Sequence, residues 1–111
     1  MANQFKKTMT TGIGETPTEI YATDASTRAT VIGINIANTT ESSIYVDLTF
    51  TDETSQTGYI VKGTEVPPGT ALAAMGGDQK LVLEPNNSIS LTSDTAASVD
   101  VIVSSLDRKS T

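Results

Sequence analysis

Histidine, cysteine and tryptophan are all absent from this 111-residue chain, and only five residues are aromatic: Phe5, Phe50, Tyr21, Tyr45 and Tyr59. Each absence removes a class of chemistry. Without histidine the usual general base and the commonest metal ligand are missing. Without cysteine there is no disulfide, no thiolate metal site and no thiol nucleophile. Basic residues are also scarce, seven against thirteen acidic ones, for a net charge of −6. A nucleic-acid binder needs cations to displace phosphate counterions and aromatic rings on which bases stack, so nucleic acid is not an expected partner. The two adjacent basic pairs, Lys6-Lys7 and Arg108-Lys109, read as solvated termini. No apolar run approaches the ~20 residues that a membrane-spanning helix needs, so no membrane partner is expected. The N-terminus MANQFKKTMTTGIGE has no signal-type apolar region, which predicts synthesis in the cytoplasm.

What is abundant is Thr, Ser and β-branched residues in short alternating runs, the pattern of pleated, half-buried strands. RATVIGINIANTT, from Arg28 to Thr40, places Thr30, Ile32, Ile34 and Ile36 on one face and Ala29, Val31, Gly33, Asn35 and Ala37 on the other, with Ile32, Ile34 and Ile36 expected in the core. SIYVDLTFT, from Ser43 to Thr51, turns Ile44, Val46, Leu48 and Phe50 inward and Tyr45, Asp47 and Thr49 outward. The two runs are joined by a turn rich in Asn, Thr and Ser and are expected to form an antiparallel pair. A short strand is expected around Tyr59–Lys62. Val66-Pro67-Pro68-Gly69 must turn, because two prolines remove two ladder donors. Thr70–Met75 reads as a strand, with a short helix as the competing reading because of its alanines. Strands follow at Gln79–Glu84, Ser88–Ser93 and Ser98–Leu106, the last with Val99, Val101 and Val103 on one face and Ile102 on the other. Further strands fit Glu19–Thr23 and the alternating residues 5–10. Seven to nine short strands with closely spaced turns and no helical period indicate an all-β chain. The expected fold is a single antiparallel β-sandwich, Ig-like or jelly-roll-like, filling one domain over 1–111.

The candidate sites each have a simpler explanation. No serine lies in a G-x-S-x-G turn, and no spacing supports a Ser–Lys dyad. Asp52-Glu53, Asp78 and Asp94 could suggest paired catalytic carboxylates or calcium ligands, yet Asp is favoured in turns for bonding nearby amides, and the EF-hand pattern is absent. Gly12-Ile13-Gly14 and Gly76-Gly77 precede no helix that could hold a phosphate and read as turn glycines. Asn86-Asn87-Ser88 matches a glycosylation acceptor without the secretory context that gives it meaning. The expectation is no enzyme, no cofactor and no metal.

The run VPPGTALAAMGGDQKLVLEPNNSISLTSDTAASVDVIVSSL resembles a family of small virion structural proteins of tailed bacteriophages. The shared order is a Pro-Gly turn at Pro68-Gly69, the strand Lys80-Leu81-Val82-Leu83, a turn over Pro85 to Ser88, the strand Ile89 to Ser93, and Val99-Asp100-Val101. Ala29 to Thr40 and Tyr59 to Gly63 are also similar to that family. Asn86-Asn87 stands where Gly-Asp would be expected, and the N-terminal segment matches less well. The resemblance implies a β-sandwich that docks on capsid, neck or tail subunits, works as a homo-oligomer in the particle, and resides in the virion. The alternative is a carbohydrate- or receptor-binding module, which would require Tyr45 and Tyr59 to meet on one exposed face. The residues themselves favour an N-terminal arm over 1–14, with few core-type residues and two lysines in an acidic chain. Phe5, Lys6, Lys7 and Met9 are its expected subunit-interface residues, and an ordinary first strand is the competing reading.

Overall fold

A computed structural model of the chain describes residues 2–75 and 80–109. It contains nine strands: β1 (Ala2–Ile13), β2 (Thr18–Ala22), β3 (Thr27–Asn38), β4 (Ile44–Thr51), β5 (Thr57–Val66), β6 (Ala71–Met75), β7 (Leu81–Leu83), β8 (Ser88–Ser93) and β9 (Val99–Lys109). No helix occurs among the described residues. The alanine-rich segment at 71–75 is therefore a strand and not the competing short helix. Gly76-Gly77 and Asp78 lie outside the described residues.

The strands form two antiparallel sheets. Sheet A has the order β1-β9-β3-β6, with β7 continuing along the same edge of β3. Sheet B has the order β2-β8-β4-β5. With β6 and β7 counted as one interrupted strand, this is the order of a jelly roll. Within β1–β5 and β7–β9, every connection but the β4–β5 hairpin crosses from one sheet to the other. The expected antiparallel pairing of β3 with β4 is thereby corrected. β3 pairs with β9, β6 and β7, and β4 pairs with β5 and β8. Both strands are apolar on their inner faces, and in a sandwich two such faces gain more by covering each other than by lying side by side. Buried Asn38 fastens the crossover. Its amide donates to the carbonyls of Ser42 (2.8 Å) and Val66 (2.9 Å), and its oxygen accepts from the Thr40 N–H (2.9 Å).

The core lies between the sheets. Val31, Ile34 and Ile36 of β3 and Val99, Val101 and Val103 of β9 come from sheet A, facing Ile44, Val46 and Leu48 of β4 and Ile89 and Leu91 of β8 from sheet B. Fully burying side chains of this size stabilises by about 1.5–3 kcal/mol each. Phe50 packs half-buried against this cluster. Ile32 is a second correction. It was expected in the core with Ile34 and Ile36, yet it is 36 % exposed. The ladder with β9 runs Val31↔Ser105 and then Gly33↔Ser104, so Ile32 is the extra residue of a β-bulge. Ahead of the bulge Ala29 and Val31 face inward, and after it Ile34, Ile36 and Asn38 do. One inserted residue shifts the phase of a period-two pattern.

A bulge also ends β1. Its register passes from Thr10↔Val101 to Ile13↔Val99, with Gly12 at φ +65°. The Gly12 N–H, which the ladder does not use here, donates to the Asp100 carboxylate at 3.0 Å. Glycine suits this left-handed position. At Gly14 a Cβ would lie 2.9 Å from the backbone nitrogen of Ala97. These two glycines serve strand geometry and close packing.

Candidate functional site

The turn acids Asp52 and Asp94 are occupied by backbone amides and hydroxyls. Asp52 accepts from the Thr54 N–H (2.9 Å), the Thr54 hydroxyl (2.7 Å) and the Gln56 N–H (3.0 Å). The bond from the Thr54 hydroxyl, then that from the Gln56 amide, holds its carboxyl below the usual carboxylate range. Asp94 accepts from the Tyr45 N–H (3.1 Å) and the Thr95 hydroxyl (3.0 Å). Among the described residues no group of three or more His, Cys, Asp or Glu side chains is placed to hold a metal ion. Asn86, the first residue of the acceptor-like triplet, is exposed on the turn with φ +64°, while Asn87 beside it is buried, its oxygen accepting the Glu84 N–H at 2.8 Å.

A polar cluster not legible in the sequence lies where β1, β2 and β9 meet. The Tyr21 hydroxyl donates to Asp107, which also accepts from the Ser105 hydroxyl at 2.8 Å. The Lys6 ammonium stands 4.0 Å from the other Asp107 oxygen and 5.9 Å from the centre of the Tyr21 ring. Burial, reinforced by the bond to Asp107, pushes the Tyr21 phenol up to about 12. Beside it opens a cleft of about 520 Å³ lined by Gln4, Lys6, Ala22, Thr23, Asp24, Thr27 and Asp107. Asp24 is already engaged there, accepting from the Ser26 N–H (2.9 Å) and the Thr27 hydroxyl (2.7 Å). The cluster ties three strands together.

The four expected interface residues divide between two faces of β1. Cross-strand partners point to the same side of a sheet, so the buried Ser105, Val103 and Val101 identify Lys6, Thr8 and Thr10 as the inward row. Phe5, Lys7 and Met9 form the outward row, opposite Leu106, Ser104 and Ile102. Lys6 is thus turned toward Asp107, away from the other three. Strand β1 is inverted: over residues 4–10 its inward positions are polar, while Phe5 and Met9 stand 76 % and 65 % exposed. From Gln4 onward, the first side chain of β1 to enter the core is Ile13, after the Gly12 bulge.

The outward row continues across sheet A. Phe5, Leu106, Thr30 and Val82 lie in one line over β1, β9, β3 and β7; Met9, Ile102, Asn35 and Ala73 lie in another over β1, β9, β3 and β6. Val82 and Ile102 are exposed. A shallow hollow of about 240 Å³ opens on this face, lined by Arg28, Ala29, Thr30, Val82, Leu106 and Arg108. Sequence reading missed Val82, Ile102 and Leu106 as surface residues of one patch, because they lie on strands remote in sequence from β1.

No protein-family model matches the chain, and no curated protein matches it by sequence. Solved structures do share its fold. One comes from Bacillus endospore appendages, described as a novel family of disulfide-linked pili. It is 12 % identical with a TM-score of 0.58, and the match covers 99 % of this chain and 88 % of that one. Another is from the T13 viral particle of infectious bursal disease virus, 7 % identical with a TM-score of 0.58; this chain is covered over 95 % and spans 30 % of that one. At such identities the likeness is one of fold. The disulfide linkage of the appendage pili is chemistry this cysteine-free chain does not possess.

The outer face of sheet B differs. It is lined by Ser90, Thr92, Asp47 and Thr49, with Tyr45 opposite Glu65 and Tyr59 opposite Thr49. The two tyrosines share this face but stand four residues apart along the ladder, roughly 13 Å at the rise of a strand. Asp47 lies between them, bonded to the Gly63 N–H at 2.7 Å. Lys62 covers the Tyr59 ring at 4.4 Å. They do not form a joint stacking platform.

Proposed function

We propose that this chain is a non-enzymatic structural component of a bacteriophage virion, docking on other virion subunits as a capsid decoration or head–tail neck protein, with a tail component as the next reading. The inverted strand β1 carries the proposal. A strand that turns Phe5 and Met9 to solvent and polar side chains inward gains little from the domain and much from a covering partner. The fold supports it, since sandwiches of this kind occur in a viral particle and in an assembled pilus. The order of motifs from Ala29 onward, with its resemblance to tailed-phage structural proteins, supports the bacteriophage assignment.

Mass spectrometry of gradient-purified particles tests this reading. The chain should be present at a fixed ratio to the major capsid protein: hundreds of copies for decoration, six or twelve for a neck. Replacing Phe5 and Met9 together by serine tests the docking role of β1. Both side chains are exposed and the pairing of β1 with β9 is left in place, so the variant should melt near the parent temperature and fail to enter particles. Loss of the fold, or normal incorporation, would overturn the docking role of β1.

A further inference from the structure

The charges of this acidic chain are sorted between its sheets. The outward positions of sheet A carry Lys7, Arg28 and Arg108 against Asp100, a net of +2. The strands of sheet B carry Glu19, Asp47 and Glu65 against Lys62, a net of −2. Each face also presents exposed apolar surface, as a concavity on sheet A and as projections on sheet B. The hollow on sheet A is walled by Val82, Leu106 and Thr30 and flanked by Arg28 and Arg108. On sheet B, Tyr45 is 48 % exposed beside Glu65, its cross-strand neighbour. Arg28 meets Glu84 at 3.5 Å with both side chains more than half exposed. Such surface pairs are worth little, so this one can exchange for an incoming carboxylate.

We propose that the hollow of sheet A receives Tyr45 of a second copy of this chain. Glu65 of that copy meets the Arg28 and Arg108 guanidiniums, and the outer face of one subunit's sheet A covers the outer face of the next subunit's sheet B. The proposal rests on the structural reading above and names one of the partners. An aromatic ring with a carboxylate beside it matches an apolar floor flanked by two cations, and Phe5 and Met9 extend the covered area along β1. The two surfaces are different, so the contact is heterologous: every subunit has one free hollow and one free Tyr45, and growth proceeds to a ring or an open stack.

Two variants and their mixture provide the test in the full-length chain, read by sedimentation velocity across concentration and NaCl, with circular dichroism confirming the fold. The parent should form concentration-dependent species beyond the dimer that shrink as salt rises. Val82→Asp and Tyr45→Ala should each sediment as monomers. Mixed, they should form a one-to-one dimer and nothing larger, because each retains one intact surface. Arg28→Glu should repeat the Val82→Asp result through charge alone. A parent that stays monomeric at its highest soluble concentration overturns the proposal. So does a dimer that survives Tyr45→Ala, or a mixture that remains monomeric. Presence of the chain in purified particles is a separate measurement. A monomeric chain found there removes the self-contact and leaves the virion reading intact, and a self-associating chain missing from particles does the reverse.

Discussion

In β4 the apolar residues Ile44, Val46 and Leu48 are buried and the intervening Tyr45 is exposed; in β1 the apolar residues Phe5 and Met9 are exposed and the intervening row is Lys6, Thr8 and Thr10. Both strands alternate with period two, and they use the alternation in opposite senses. Periodicity shows that the two faces of a strand differ. Which face is inside depends on what lies across from it. Strand β4 sits in sheet B between β8 and β5 and looks onto the core. Strand β1 is an edge whose inner side meets the rim of the sandwich, where Lys6 finds Asp107 and Tyr21. There a polar side chain keeps water or a partner, while an apolar one would gain only partial burial.

The largest effect that can break this comparison is truncation at matched positions. Leu48→Ala removes a fully buried side chain and should destabilise by about 2–5 kcal/mol, measured by denaturant unfolding. Met9→Ala should stay within about 0.5 kcal/mol, the ordinary range for a surface substitution. Comparable losses at the two positions would show that β1 packs inward after all. Next comes the point at which β1 changes sense. Gly12→Ala forces a side chain into a left-handed backbone and should lose about 1–2 kcal/mol, with a matching drop in melting temperature. No loss there would mean that the bulge is not what turns Ile13 inward.

Tyr21→Phe sharpens the comparison at the rim. It deletes the hydroxyl bonded to Asp107 and should destabilise by about 1 kcal/mol. Tyr21 has a folded pKa of about 12 against an ordinary value of 10.0, so the unfolded chain releases this proton first. Its contribution is complete below pH 10 and lost as pH rises from 10 to 12. The parent and Tyr21→Phe stability curves should therefore converge across that window, and parallel curves would count against the buried phenol. The smallest effect lies at the β4–β5 loop. Asp52→Asn should lower stability slightly near neutral pH and reduce its acid dependence, since the depressed carboxyl contributes above its unfolded pKa and loses that contribution as pH falls through the folded one. A fluorescence-monitored acid titration reads the difference.

Much of the fold was legible in the order of residues. The runs Ser43–Thr51, Ser88–Ser93 and Ser98–Leu106 alternate cleanly and became β4, β8 and β9 with the expected faces inward. The prolines and Gly69 ended β5, where the Thr70 N–H closes onto the Pro67 carbonyl at 3.3 Å. Bulges escaped notice because they are a property of two paired strands. Ile32 is a regular member of its own alternation and becomes the extra residue only against Ser104 and Ser105 of β9. The candidate surface escaped for a related reason. Phe5 and Met9 were identifiable, but their neighbours Leu106 and Ile102 are near the other end of the chain, and Val82 reaches the row only through β3.

By itself the sequence determined an all-β chain. Its short apolar alternations can be satisfied only in sheets, its prolines and glycines set where strands stop, and its lack of His and Cys removes the commonest catalytic and metal-binding groups. Only the tertiary structure decided which strands share a sheet, that β3 covers β4 instead of pairing with it, and that the apolar row of β1 faces out beside Ile102 and Leu106. The physical reason is range. Alternation and turn chemistry act over a few residues, whereas pairing in a jelly roll joins strands from opposite ends of the chain, and the resulting faces exist only once both sheets have formed.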